Sequence, residues 1–303
     1  MSIQAARSVT FPRRRGTPAA RAAWWFILPA LAYLVLVQVV PILYALYLSF
    51  TRYDPAARGG PKLVGLDNYA RMLSSGEFWS ALRVTVQFAA EVIPLNIVVA
   101  LTLALMLNAA SVRLRGLRAA FFLPSVASAV AVSVVWLWMY EPTFGLFNQA
   151  LKLINVSPVP WLSDPAYALH SMVLMRVWRG AGWNAVVYLA GLQTVPKEVL
   201  EAARVDGASG WQTLRRITWP LLAPVTLYVI VTGLISTLQT FSEVYVMTRG
   251  GPLNSTTTVG LLIYRQGFEY GEFGLAAATS FLLFFIIFTL AVLNFRRQRG
   301  ALS

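Results

Sequence analysis

Arg176 and Arg179 stand in an otherwise apolar stretch, Arg176-Val177-Trp178-Arg179-Gly180-Ala181-Gly182-Trp183-Asn184. An arginine inside a bilayer costs ~2.5–3.5 kcal/mol even on the lenient insertion scale, so both must face protein or water. Arg176, Arg179, Gly180 and Trp183 fall at i, i+3, i+4 and i+7, one face of a helix. That face could contact a solute. Guanidinium clamps a phosphate or carboxylate bidentately, and the Trp183 ring is a flat surface of the kind on which sugars stack. It could also be structural, with the arginines paired to Glu91 or snorkelling outward. Further on, Gly233, Ser236, Thr237 and Thr240 share a second face, with Gln239 beside them. Hydroxyls and amides suit a sugar's donor–acceptor pattern. Small polar residues also bond one helix to another in any bundle.

Other chemistry is absent. The chain has no cysteine, which removes disulfides, thiolate metal sites and cysteine nucleophiles. His170 is the one histidine, and no metal site or catalytic triad can be assembled around it. Glu91, with Pro94 and Asn96, needs a partner if it is buried; it could cap a cavity, pair with an arginine or shape a kink. No Gly-x-x-x-x-Gly-Lys-Ser/Thr loop occurs, so the chain does not bind ATP in that way. Work done by this chain must draw on another subunit or on an ion gradient.

The elements that position these residues are membrane helices. The chain is 57% apolar and 12% charged, with a mean hydropathy of +0.62, more apolar than a soluble domain needs. Apolar runs of ~18 residues or more span a bilayer as helices. Six spans are expected, at 24–50, 84–107, 119–140, 169–192, 221–241 and 274–295. This is an all-α integral membrane protein. The first run follows Arg7, Arg13, Arg14, Arg15 and Arg21 in the manner of a signal peptide, but it is too long for one and lacks a small-residue cleavage site. It is expected to remain as the first span. Pro29 and Pro41 offer it places to bend.

The net charge of +13 does not indicate nucleic acid. One side of the six spans holds those five arginines with Arg113, Arg115, Arg118, Lys197, Arg204, Arg215, Arg216, Arg296, Arg297 and Arg299. The other holds Arg52, Arg58, Lys62, Arg71, Lys152, Arg249 and Arg265, and most of the carboxylates. The positive-inside rule makes both termini cytoplasmic. The expected organisation is a basic tail at 1–23, a membrane domain at 24–295 and a short tail at 296–303.

One cytoplasmic loop, 196–220, is patterned. Lys197–Val205 has helix-forming composition, Asp206-Gly207 is a break, and a second helix over 211–219 carries Trp211, Leu214 and Ile217 as an apolar stripe, ending at Pro220. Two such helices at an angle could protrude into a partner's groove, with Glu201 offering a carboxylate to an arginine. They could equally form an amphipathic connector on the lipid surface.

Glu201-Ala202-Ala203, Asp206-Gly207, Ile217 and Pro220 resemble the EAA loop of permease subunits in binding-protein-dependent ABC importers. Trp219 stands where that pattern has Leu, and Leu214 where Phe is frequent. Three further stretches resemble the carbohydrate-uptake branch of the family: Val64-Gly65-Leu66-Asp67-Asn68-Tyr69, Arg118-Ala119-Ala120-Phe121-Phe122-Leu123-Pro124, and Gly250-Gly251-Pro252 with Ser255-Thr256-Thr257-Thr258. The resemblance implies a type I importer permease fold in the bacterial inner membrane, with no cofactor of its own. It implies a second, similar permease chain, usually forming a heterodimer, and two cytoplasmic ATPase chains that bind ATP and magnesium and grip the loop. It also implies an extracytoplasmic solute-binding protein. It places the solute contacts on the faces of Arg176 to Trp183 and Gly233 to Thr240. The solute expected is a sugar, with glycerol 3-phosphate or a glycerophosphodiester as the alternative the arginines raise. An ion-coupled secondary transporter would explain Glu91 and the arginines but not the loop.

Overall fold

A computed structural model describes residues 18–55, 59–109 and 115–301. Most of the expected basic tail (Arg7, Arg13, Arg14, Arg15), Arg58, Arg113 and residues 302–303 lie outside the described residues, as do the side chains of Arg21, Arg115, Arg118, Arg297 and Arg299.

Helices occupy most of each of the six expected segments. The first unit runs to Tyr47. In it α1 (Pro18–Leu34) continues through a π-turn (Val35–Val39) into α2 (Val40–Ser49). The π-turn comes just before Pro41, where a missing N–H would otherwise break the ladder. The helix is apolar on every side, as a lipid-facing span requires.

The second unit begins at Leu48. A two-stranded ribbon, β1 (Thr51–Arg52) with β2 (Lys62–Leu63), is antiparallel with Thr51 opposite Leu63. Then follow α3 (Asp67–Ser74), α4 (Gly76–Ala109), α5 (Arg115–Val126), α6 (Ala129–Met139), α7 (Leu146–Leu153) and α8 (Pro165–Gln193). The chain continues as α9 (Lys197–Val205), α10 (Gly210–Thr213), a π-turn (Leu214–Thr218), α11 (Trp219–Leu221), α12 (Ala223–Leu238) and α13 (Ser242–Met247). It ends with α14 (Val259–Tyr264), a π-turn (Arg265–Glu269) and α15 (Phe273–Ala301).

Helix α8 is the axis of this unit. Asp164 caps it, accepting from the Ala166 N–H, and Pro165 opens it, a helix start the sequence dictates. It runs parallel to α4. Glu91 meets His170, Asn96 meets Val177 and Asn184, and Ala100, Ala104 and Leu107 pack with Ala185, Tyr188, Leu189 and Leu192. Near its start, Tyr140 donates to the Ser171 carbonyl at 2.7 Å. Buried Asn148 there bonds the Pro142 and Val159 carbonyls, the Val159 N–H and the Trp161 indole.

Among the described residues, three helices are long and apolar enough to cross a membrane, Trp24–Ser49, Gly76–Asn108 and Phe273–Asn294, or up to five if each bent pair counts as one span. The expected third span is such a pair: α5 and α6 meet at 106°. Pro124 cannot donate to the turn before it, and Ser128 is extended, so the helix restarts there. The expected fifth span is the other, with 67° between Gly210–Leu221 and Ala223–Leu238. Helix α8, the fourth, is long enough, but Arg176, Arg179, Asn184 and His170 keep it below that apolarity.

Candidate solute cavity and coupling loop

Where α4, α8 and α12 converge, the bundle leaves a cavity of about 290 Å³. Helix α8 contributes Arg176, Arg179, Gly180 and Trp183, and α12 contributes Gly233, Ser236 and Thr237. Two faces read separately from the sequence therefore line one space. Asn96, Ser125, Asn184 and Thr232 complete its polar wall. The amide of Asn184 donates to Asn96 Oδ1 at 2.6 Å, and Asn96 donates onward to the Val177 carbonyl at 3.3 Å. The Trp183 ring is half exposed and packs 5.8 Å from that of Phe122. It is held on one side and free on the other.

Thr240 does not line the cavity. Helix α12 ends at Leu238, so the stripe through Gly233, Ser236 and Thr237 does not extend to position 240. Thr240 is buried, donates to the Ser236 carbonyl, and its own carbonyl accepts from Thr258.

Both arginines are engaged, but not by Glu91. Arg176 Nη1 donates to Glu243 Oε1 at 2.7 Å and Arg179 Nη1 to the same oxygen at 3.2 Å. In the sequence Glu243 falls just after the fifth expected span, on the side that holds most of the carboxylates. The chain turns back after α12, and α13 carries this side chain into the bundle, where it is only 7% exposed. Burying ions is costly unless they pair, and here two cations share one anion. Arg176 Nη2 and Arg179 Nη2 make longer bonds, both 3.4 Å, to the carbonyls of Ser236 and Ala127. The Ala127 carbonyl is available because the helix breaks at Ser128. Arg179 Nε is buried without an acceptor. Glu91 instead accepts from Gln87 at 3.0 Å and meets His170 Nδ1 at 2.7 Å. No grouping of side chains among the described residues could hold a metal ion.

The second candidate site is the 196–220 loop. Helix α9 follows Pro196, which stands at its N-cap. It closes in a Schellman motif: the Gly207 N–H bonds the Arg204 carbonyl and the Ala208 N–H bonds the Ala203 carbonyl. Gly207 has φ +75°, a left-handed value natural to glycine. Ser209 and Gln212 then form a capping box at the start of α10. Ala203 is buried, whereas Glu201, Ala202 and Asp206 are exposed, and Glu201 makes no ion pair among the described residues. Val205 and Trp211 are also exposed, at 87% and 68%. An open carboxylate beside open apolar side chains makes a surface suited to a partner. Pro220 does not end the second helix; the π-turn before it absorbs its missing N–H, and the helix runs on to Leu221. Ile217 is half-buried in that turn.

Comparison with known proteins gives the same family. Residues 114–299 match the binding-protein-dependent transport system inner membrane component family. The trehalose/maltose transport system permease MalF of Thermococcus litoralis is 35% identical over 92% of this chain and 95% of its own length. The lactose transport system permease LacF of Rhizobium radiobacter is 38% identical over 91% and 93%. In fold, the chain matches a bacterial ABC transporter involved in import of the acidic polysaccharide alginate, with a TM-score of 0.80, 21% identity, and coverage of 93% of this chain and 96% of that one. This chain belongs to the binding-protein-dependent transport system inner membrane component family, as a multi-pass ABC importer permease subunit of the inner membrane.

Proposed function

We propose that this chain forms half of the pathway by which an ATP-driven importer takes up a neutral sugar or oligosaccharide. The observation that carries the reading is the cavity: one indole face, hydroxyls, amides and no free carboxylate converge on it. The full-length likeness to permeases named for maltose, trehalose and lactose supports it. The chain crosses the membrane six times with both termini cytoplasmic, and a second permease chain supplies the other half of the cavity. A binding protein delivers the solute from outside. Two ATPase chains bind ATP and magnesium and grip the loop around Glu201, Ala202, Ala203, Asp206 and Gly207. Their closure moves that loop and rocks the bundle between inward-facing and outward-facing states, a two-state element biased by ATP. The chain itself does no chemistry.

A phosphorylated polyol such as glycerol 3-phosphate, or a glycerophosphodiester, is the second reading, favoured by the two guanidiniums. Their engagement with Glu243 weighs against it.

Replacing Trp183 by Ala tests the site. In vesicles holding the complete transporter, the KM for the sugar its binding protein delivers rises about tenfold, equivalent to about 1.4 kcal/mol of lost contact. The assembled complex is recovered in normal yield. A KM unchanged in W183A contradicts the cavity as the solute site.

A further inference from the structure

Arg176 and Arg179 reach the cavity from successive turns of α8 and converge on one atom, Glu243 Oε1, at 2.7 and 3.2 Å. The three side chains are 16%, 19% and 7% exposed, so water screens them little. Each guanidinium carries five N–H donors. Beyond the carboxylate they find only two carbonyls, each at 3.4 Å, and Arg179 Nε finds nothing. Glu91 is committed to His170 and Gln87 and cannot help. Two guanidiniums against one carboxylate leave one net positive charge at the wall; without the carboxylate there would be two. Among the described residues Glu243 is the carboxylate paired to these guanidiniums, so it lowers how strongly the wall attracts an anion.

We propose that Glu243 is a specificity-determining residue. By holding Arg176 and Arg179 at a single oxygen it withholds two cations from phosphate- or carboxylate-bearing solutes and leaves the cavity to neutral polyhydroxy ones. The inference rests on the cavity being the solute site. An entering anion meets one net positive charge instead of two, and to reach the guanidiniums it must displace Glu243 or sit beside it as a like charge in a poorly screened space. A neutral sugar needs neither. It can exchange hydrogen bonds with Ser236, Thr237 and Asn96 while the ion pairs stay closed. Glu243 comes from α13 rather than from the cavity-lining part of α8 or α12, so it acts through the arginines rather than by touching the solute.

The test is calorimetric titration of the purified complete transporter with inorganic phosphate and, separately, with glucuronate. Wild-type protein shows no saturable binding of either below about 10 mM, the weak-binding end of the affinity scale. Glu243→Gln binds at least one of them at least tenfold more tightly, and the arm that responds says whether phosphate or carboxylate geometry fits the freed arginines. The double variant Arg176→Gln with Glu243→Gln loses that gain, which a merely structural role for Glu243 would not produce. Should Glu243→Gln fail to assemble, Glu243→Asp, shorter by one methylene, is expected to show a smaller gain in the same direction. Anion affinity unchanged in every assembled variant overturns the proposal, as does wild-type protein that already binds either anion as tightly as the variant. If those titrations fail while W183A still raises the sugar KM, only the role of Glu243 falls; if W183A has no effect, the cavity reading falls with it.

Discussion

Gly207→Pro abolishes uptake and reduces ATPase co-purification at least tenfold. The physical case is local. Gly207 sits at φ +75° and donates its N–H to the Arg204 carbonyl at 3.1 Å, half of the pair of bonds that closes α9. Proline fixes φ near −65° and has no N–H to give. Both bonds of the Schellman motif are lost, and the angle between α9 and α10 is lost with them. A β-carbon at 207 meets nothing within 4 Å, so the effect is conformational rather than steric. Gly207→Ala, which keeps the donor and only strains φ, costs roughly 1–2 kcal/mol and leaves partial coupling. Glu201→Lys reaches the same endpoint by reversing an exposed charge without touching the backbone. The bundle core lies elsewhere, so Gly207→Pro is recovered as folded protein in detergent. Normal ATPase recovery with that variant removes the loop from the coupling path.

Gly182→Val carries the largest expected cost to stability. A β-carbon at position 182 would overlap the Phe121 carbonyl and come within 2.7 Å of its carbon. These are backbone atoms of α5, which no rotamer change can move aside. Helix α8 approaches α5 this closely only because the residue is glycine. Overpacking of this kind costs about 3 kcal/mol, which lowers the unfolding midpoint by about 6 °C for a unit of this size. Gly210→Ala, whose β-carbon meets nothing within 4 Å, is the matched control and leaves the midpoint unchanged. Thermal unfolding followed by size-exclusion recovery in detergent reads both. An unaltered midpoint for Gly182→Val contradicts the α5–α8 packing.

The helices and the loop were legible because they depend on local rules. Long apolar runs, the Asp164-Pro165 start of α8 and the Asp206-Gly207 break each state their structure within a few residues. The shared face of Arg176, Arg179, Gly180 and Trp183 was legible for the same reason, since helical spacing holds unbroken through α8.

What failed depended on where regularity stops. Thr240 obeys the spacing of Gly233, Ser236 and Thr237 but lies beyond the end of α12, where a 3.6-residue period no longer describes the chain. Glu243 follows that same end, so nothing nearby in the sequence says that α13 turns it inward onto residues 64 and 67 positions away. Glu91 was open to several partners, and its contact with His170 spans 79 positions. The break between α5 and α6 comes after Pro124 in a run whose composition alone suits a continuous span. The π-turn at Leu214–Thr218 shifts the register of the stripe expected through Trp211, Leu214 and Ile217, leaving Trp211 exposed.

We expect this chain to open a path only when an ATPase pulls on its 196–220 loop, and reconstitution tests that coupling. Sealed vesicles carry this chain alone, or this chain with its sister permease, its ATPase and its binding protein. Labelled sugar should accumulate only in the complete set, and only when ATP is supplied on the ATPase side. Accumulation against a gradient by vesicles holding this chain alone would contradict it.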